Sequence, residues 1–148
     1  MKVYNEEGLT VFAEKLGRLL KAGDLIILTG DLAAGKTTFT KGLALGLDIS
    51  QMIKSPTFTI VREYQGRLPL YHMDIYRVGN DPDSFDMDGY LSKKAVVVME
   101  WGELLEENLP KDYLSIQLNK ISEDRRELIL SPSGQRYEQL IKEIENKK

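Results

Sequence analysis

Apolar residues near the start of the chain recur at helical intervals: Leu9, Phe12, Ala13, Leu16, Leu19 and Leu20 fall at i, i+3, i+4 and i+7, which gathers them on one face of a helix. Asn5 stands ahead of them as an N-cap, with Glu6 and Glu7 in the first turn and Gly23 as the stop. Leu25–Leu28 then forms a short, unbroken apolar run, the pattern of a strand buried on both faces. After residues 29–35, Phe39, Leu43 and Leu47 share a face, so Lys36–Leu47 reads as a second helix. Strand, loop and helix in that order open an α/β unit.

Further along, Thr57–Tyr64 is rich in β-branched and aromatic residues, Gln65-Gly66-Arg67 supplies a turn, and Leu70–Tyr76 alternates beyond it, which predicts a hairpin. Residues 79–89 are acidic and turn-prone. Ala95–Glu100 reads as a second buried strand, with a short helix at Gly102–Asn108 ahead of Pro110. Tyr113–Leu118 and Glu127–Leu130 have strand character around the polar turn Asn119–Arg126, and Tyr137, Leu140, Ile141 and Ile144 mark a closing helix. The sum is a single three-layer α/β domain over residues 1–148, with a mixed, partly parallel central sheet and antiparallel hairpins.

Composition narrows the chemistry. The chain has 148 residues, no cysteine and one histidine, His72, which excludes disulfides, thiolate metal sites, cysteine nucleophiles and multi-histidine metal centres. Its longest apolar runs, Leu25–Leu28 and Ala95–Met99, fall far short of the ~20 residues that span a bilayer. The first residues lack the apolar stretch and cleavage site of a signal peptide, so a soluble, cytoplasmic protein with no membrane partner is expected. Net charge is −3, with 9 basic and 8 acidic groups in residues 1–74 against 11 and 15 in residues 75–148. No basic block offers a nucleic-acid footprint.

The sharpest chemical signal is Gly30-Asp31-Leu32-Ala33-Ala34-Gly35-Lys36-Thr37, a full GxxxxGK[ST] match. At ordinary glycine usage roughly one chain in two hundred of this length would carry it by chance, and its position between an apolar strand and an amphipathic helix lowers that further. Four residues between the glycines let successive backbone N–H groups converge on phosphates, aided by the helix dipole. Lys36 then reaches the β and γ phosphates, Thr37 ligates Mg²⁺ and Thr38 reaches the α phosphate. The bland alternative is a strand-to-helix turn with an exposed lysine.

Such a loop needs a carboxylate from elsewhere. Glu100 ends its apolar run at the carboxyl edge of a buried strand, where ligands collect in open α/β sheets; it either holds Mg²⁺ through water or orients the attacking water, against the alternative of a solvated strand end. His72, Asp74 and Tyr76 share one face of the alternating stretch. A lone histidine on a strand is more often structural than catalytic, and Asp74 could simply pair with Arg77. Ser55-Pro56-Thr57 is either a γ-phosphate switch or a strand-entry turn.

Together these residues resemble the TsaE (YjeE) family, small P-loop ATPases of bacterial tRNA threonylcarbamoyladenosine synthesis. The markers come in order: Gly30-Asp31-Leu32 leading into Gly35-Lys36-Thr37-Thr38-Phe39, then Ser55-Pro56-Thr57-Phe58-Thr59, Tyr71-His72-Met73-Asp74-Ile75-Tyr76-Arg77, and Glu100-Trp101. The resemblance implies nucleotide binding by Asp31, Leu32, Ala33, Ala34, Gly35, Lys36, Thr37 and Thr38, a switch at Ser55–Phe58, an essential acid at Asp74, a Mg²⁺-associated carboxylate at Glu100, an aromatic beside the nucleotide at Trp101, and a C-terminal nucleotide contact at Arg136. Lys36, Asp74 and Glu100 would carry catalysis, with Thr37 and Glu100 at the metal. Ala33 departs from the family's usual glycine, Thr10 stands near a family adenine contact in uncertain register, and Asp81–Gly89 matches poorly.

The function this implies is Mg²⁺-dependent ATP hydrolysis that resets or regulates the TsaB–TsaD pair, with tRNA handled by the partners. No arginine finger is evident in the chain, so turnover should be slow without them. A P-loop small-molecule kinase would need an acceptor site and an arginine-rich lid, and a GTPase would need an aspartate that Asn119-Lys120-Ile121-Ser122 lacks. A nucleotide-gated binding module with incidental hydrolysis is the rival from another class.

Overall fold

In the computed structural model, which describes residues 2–30, 35–51, 61–74, 89, 94–100 and 110–146, the first helix starts where Asn5 places it. The Asn5 side chain accepts the Gly8 N–H at 2.7 Å, and α1 runs Glu6–Leu19. It stops ahead of Gly23, because the Asp24 carboxylate accepts the Lys21 N–H at 2.7 Å and draws the chain out of the helix. Gly23, at φ +93°, makes the turn into the next strand instead.

Strand β1 (Lys2–Tyr4) precedes α1; β2 (Leu25–Gly30), α2 (Lys36–Gly46), β3 (Val61–Tyr64), β4 (Leu70–Asp74), β5 (Val96–Glu100), β6 (Tyr113–Ser122), β7 (Arg125–Ser133) and α3 (Gln135–Asn146) follow. The strands make one sheet in the order β1-β7-β6-β2-β5-β4-β3. Its centre is parallel, β2 lying between β5 and β6 and β4 joining β5, while β3/β4, β6/β7 and β1/β7 are antiparallel. The mixed α/β class read from the sequence is the one observed. The helix at Gly102–Asn108, the Ser55–Phe58 segment and the acidic stretch 79–88 lie outside the described residues.

Two elements differ from expectation. β1 was not foreseen, since three residues are too few for alternation to register; it pairs Lys2 with Leu128 and Tyr4 with Arg126. The β6–β7 hairpin is longer than its apolar residues indicate, because Asn119, Lys120, Ser122, Arg125 and Arg126 keep the ladder going without apolar alternation, and Lys120, Ser122 and Arg125 have their side chains in water. The turn shrinks to Glu123-Asp124.

Period-two alternation along the central strands divides the core. Ile26, Leu28, Val96, Val98, Leu114 and Ile116 face the apolar sides of α1, α2 and α3, while Leu25, Ile27, Val97, Met99 and Met73 form a second buried cluster on the opposite face. Both faces of the central strands are thus out of water, and the three described helices all lie on the first of them. Helices α1 and α2 approach closely at Gly17, Gly42 and Gly46: a methyl group at Gly46 would stand 2.7 Å from Gly17 Cα and 2.8 Å from the Arg18 nitrogen.

The start of α3 is pinned to the lower end of β2. Arg136 Nη2 donates to Asp24 Oδ2 at 2.7 Å, Nε donates to Oδ1 at 3.1 Å, and the buried Tyr137 hydroxyl accepts the Leu25 N–H at 2.8 Å. Burial pushes the Tyr137 phenol above its ordinary range. Stability from this group is therefore complete below about pH 10 and lost as pH rises through the higher folded-state value. Tyr137→Phe should cost about 1 kcal/mol at neutral pH by stranding the Leu25 N–H, and melting curves of the two proteins should converge as pH rises above about 10.

Candidate functional site

The junction of β2 and α2 is built on two glycines in left-handed backbone, Gly30 at φ +141° and Gly35 at φ +97°. A side chain at either would be strained. Gly35 sits at the N-cap without a side-chain cap, and its carbonyl accepts the Phe39 N–H at 2.9 Å to start α2. The first-turn N–H groups and the positive end of the α2 dipole therefore face the loop. Asp31, Leu32, Ala33 and Ala34 lie outside the described residues.

Lys36 is not a surface lysine; it is 5% exposed, against the reading of an incidental turn. Its Nζ lies 3.8 Å from Glu100 Oε1. Glu100 terminates β5 on the strand beside β2, 7% exposed, and its other oxygen, Oε2, lies 2.5 Å from Nε2 of the wholly buried His72 on β4. A carboxylate only accepts, so His72 Nε2 carries the proton of that bond. Lysine from the start of α2, glutamate from the carboxyl end of β5 and histidine from the middle of β4 thus form one buried row. Asp74 ends β4 in register with Glu100. Trp101 lies outside the described residues.

A cavity of about 850 Å³ opens at the Lys36 end of this row. One wall is the start of α2, with Gly35, Lys36, Thr37 and Thr38; a second is the first turns of α1, including Thr10; the third is the β6–β7 turn, with Asp124 and Arg126. The Thr10 hydroxyl donates to the Glu6 carbonyl at 3.0 Å. Arg125-Arg126 reads from sequence only as a pair in a hairpin turn, yet Arg126 Nε would lie 3.8 Å from a methyl group placed on Gly35, and its Nη1 is anchored by donating to the Ser122 and Arg125 carbonyls at 2.8 and 2.9 Å. The signal that would have found it is strand order: β6 pairs with β2 up to Gly30↔Leu118, so the hairpin beyond Leu118 overhangs the loop.

Arg136 needs correction. The resemblance placed it at the nucleotide, but its guanidinium is held by Asp24 and by the Leu19 carbonyl at 3.2 Å, before β2 begins. Gly30 is at the other end of that strand. The Asp24 hydrogen bonds also raise the Arg136 pKa. Arg136 is a pin between α3 and the foot of the sheet.

A mixed α/β sheet buried on both faces, with a GxxxxGK[ST] loop leaving its central parallel strand, is the architecture of a P-loop NTPase-like domain. The family described as "Threonylcarbamoyl adenosine biosynthesis protein TsaE" matches residues 3–128, and the chain belongs to that family. The tRNA threonylcarbamoyladenosine biosynthesis protein TsaE of Bacillus subtilis (strain 168) is 43% identical over 144 residues, covering 97% of this chain and 91% of that protein. Its Treponema pallidum (strain Nichols) namesake is 46% identical over 118 residues, 78% of this chain and 87% of the relative. The crystal structure of Bacillus subtilis YdiB matches with a TM-score of 0.85 at 40% identity, covering 97% of this chain and 95% of that one. Among the described residues no helix is long and apolar enough to cross a membrane.

Proposed function

We propose that this protein binds Mg²⁺-ATP and hydrolyses it in support of tRNA threonylcarbamoyladenosine formation, acting on the TsaB–TsaD pair rather than on tRNA itself. The observation that carries the reading is the buried Lys36–Glu100–His72 row beside the glycine-bounded loop. A buried lysine paired to a carboxylate at 3.8 Å is poised to exchange that partner for a phosphate, a more highly charged one.

In this reading Lys36 and the α2 N-terminus stabilise charge that develops on the phosphoryl oxygens, a contribution that is electrostatic and set in place beforehand. Glu100 orients water or a hydrated ion. Thr37 and Glu100 are hard oxygen donors on neighbouring elements, and such a sparse protein set suits Mg²⁺, which keeps several waters and phosphate oxygens of its own; bound there, the ion would neutralise charge between the phosphates. Asp74, in register with Glu100, is a further acid for the same task. The three-walled cavity takes the nucleoside end, with Arg126 as a cation from the hairpin.

The test is ATP turnover by the purified protein, alone and with TsaB–TsaD. Stimulation by the pair is expected, and equal rates with and without it would remove the coupling. Lys36→Ala should weaken ATP binding about tenfold to a hundredfold, the loss of one charged contact to phosphate, read by titration with a fluorescent ATP analogue. Undiminished binding would separate the loop from the nucleotide. The −3 net charge favours a role in which other proteins hold the RNA.

A further inference from the structure

We infer that His72 is a positioning residue for Glu100: it holds one carboxylate oxygen in place when Lys36 turns to the phosphates. The inference rests on the nucleotide-hydrolysis reading for its purpose, and on geometry for its substance. His72 is fully buried on the face of β4 that meets the helices, in line with Leu70. An imidazole there is costly unless its polar atoms are bonded. Nε2 is; among the described residues Nδ1 has no hydrogen-bond partner. An apolar side chain would fill the same place without that penalty, so the ring is poorly accounted for as core packing. The bond it makes among the described residues runs to Glu100.

The two oxygens of Glu100 have separate partners, Lys36 on Oε1 and His72 on Oε2. A phosphate arriving at the loop attracts Lys36 and repels the carboxylate. Without a second tether, Glu100 would rotate away from the phosphate at the moment its orientation matters. The Nε2–H bond joins side chains of the adjacent parallel strands β4 and β5 on the face that meets the helices. Outer partners that orient a working carboxylate or imidazole commonly change activity about tenfold to a hundredfold when lost.

The single histidine makes the test direct. The imidazole N–H proton of His72, sealed from water and bonded to a carboxylate, should give one downfield, slowly exchanging NMR resonance, which Glu100→Gln should shift and His72→Leu should abolish. In turnover, His72→Leu should lose about tenfold or more in kcat with affinity for an ATP analogue unchanged, and His72→Gln, which keeps an N–H donor near the same place, should recover most of it. In the Glu100→Gln background, His72→Leu should add no further loss under single-turnover conditions. A resonance insensitive to Glu100→Gln, a fully active His72→Leu, or equal losses in both backgrounds would overturn the inference. If His72→Leu fails to fold, the Gln variant and the resonance decide. Absence of any turnover in the parent protein would sink the hydrolysis reading, while the response of the resonance still decides the pairing.

Discussion

Glu100→Gln is expected to lower ATP turnover by about two to three orders of magnitude while leaving ATP affinity within about threefold. The substitution keeps size and one oxygen but removes the charge at the end of β5. Lys36 and the loop amides, the phosphate-binding groups of the proposed function, remain. A group that acts only on the reacting centre loses kcat and spares binding, and a change of this size corresponds to about 3–4 kcal/mol of transition-state stabilisation. The measurement is single-turnover hydrolysis beside equilibrium titration with an ATP analogue. A variant that no longer hydrolyses ATP yet supports full tRNA modification would favour the nucleotide-gated module, in which hydrolysis is incidental. A variant with parental turnover would remove Glu100 from the mechanism.

Gly46→Ala is expected to cost about 3 kcal/mol of stability, a fall of roughly 10 °C in melting temperature for a protein of this size. A methyl group there meets the Glu14 carbonyl oxygen, Gly17 Cα and the Arg18 nitrogen, all backbone. No side chain can turn aside, so the helices must part. The gain in helix propensity from glycine to alanine is about 1 kcal/mol at most, and smaller at the last residue of α2, so overpacking wins. Leu45→Ala, on the exposed side of the same helix at 51% exposure, should change stability by less than about 0.5 kcal/mol. Urea unfolding of the two variants provides the comparison. Equal stability of Gly46→Ala and the parent would mean that the helix contact is looser than the geometry shows. Because the first turns of α1 and α2 also wall the cavity, ATP affinity should fall with Gly46→Ala as well.

The elements that were legible in the sequence are those whose burial is periodic. α1, β2, α2 and β5 show their faces as apolar spacing, and the glycines of the loop announce positions that other residues avoid. The hairpin of β6 and β7 was only half visible, because Lys120, Ser122 and Arg125 pair in the ladder while their side chains face water. Backbone pairing leaves no hydrophobic trace. The site divides on the same physics. Lys36 and Glu100 could be named because a loop and a strand end mark them locally, whereas the His72–Glu100 bond depends on β4 lying parallel to β5, a neighbour relation that neither segment encodes alone. Arg126 needed the adjacency of β6 and β2, and Arg136 was misplaced because likeness to a family assigns a position without saying which end of the sheet it meets.

The place of β2 in the sheet has a consequence for how the protein is made. Leu25 pairs with Val97 and Ile26 with Leu114, so the strand that leads into the glycine-bounded loop acquires both its neighbours only after most of the chain has left the ribosome. Such distant pairings must overcome loop-closure entropy before they contribute any stability, which slows folding relative to chains built from local contacts. Nucleotide binding should therefore be a late event in synthesis. A nascent chain stalled before β6 should not retain ATP, although it already contains the loop, Lys36, His72 and Glu100.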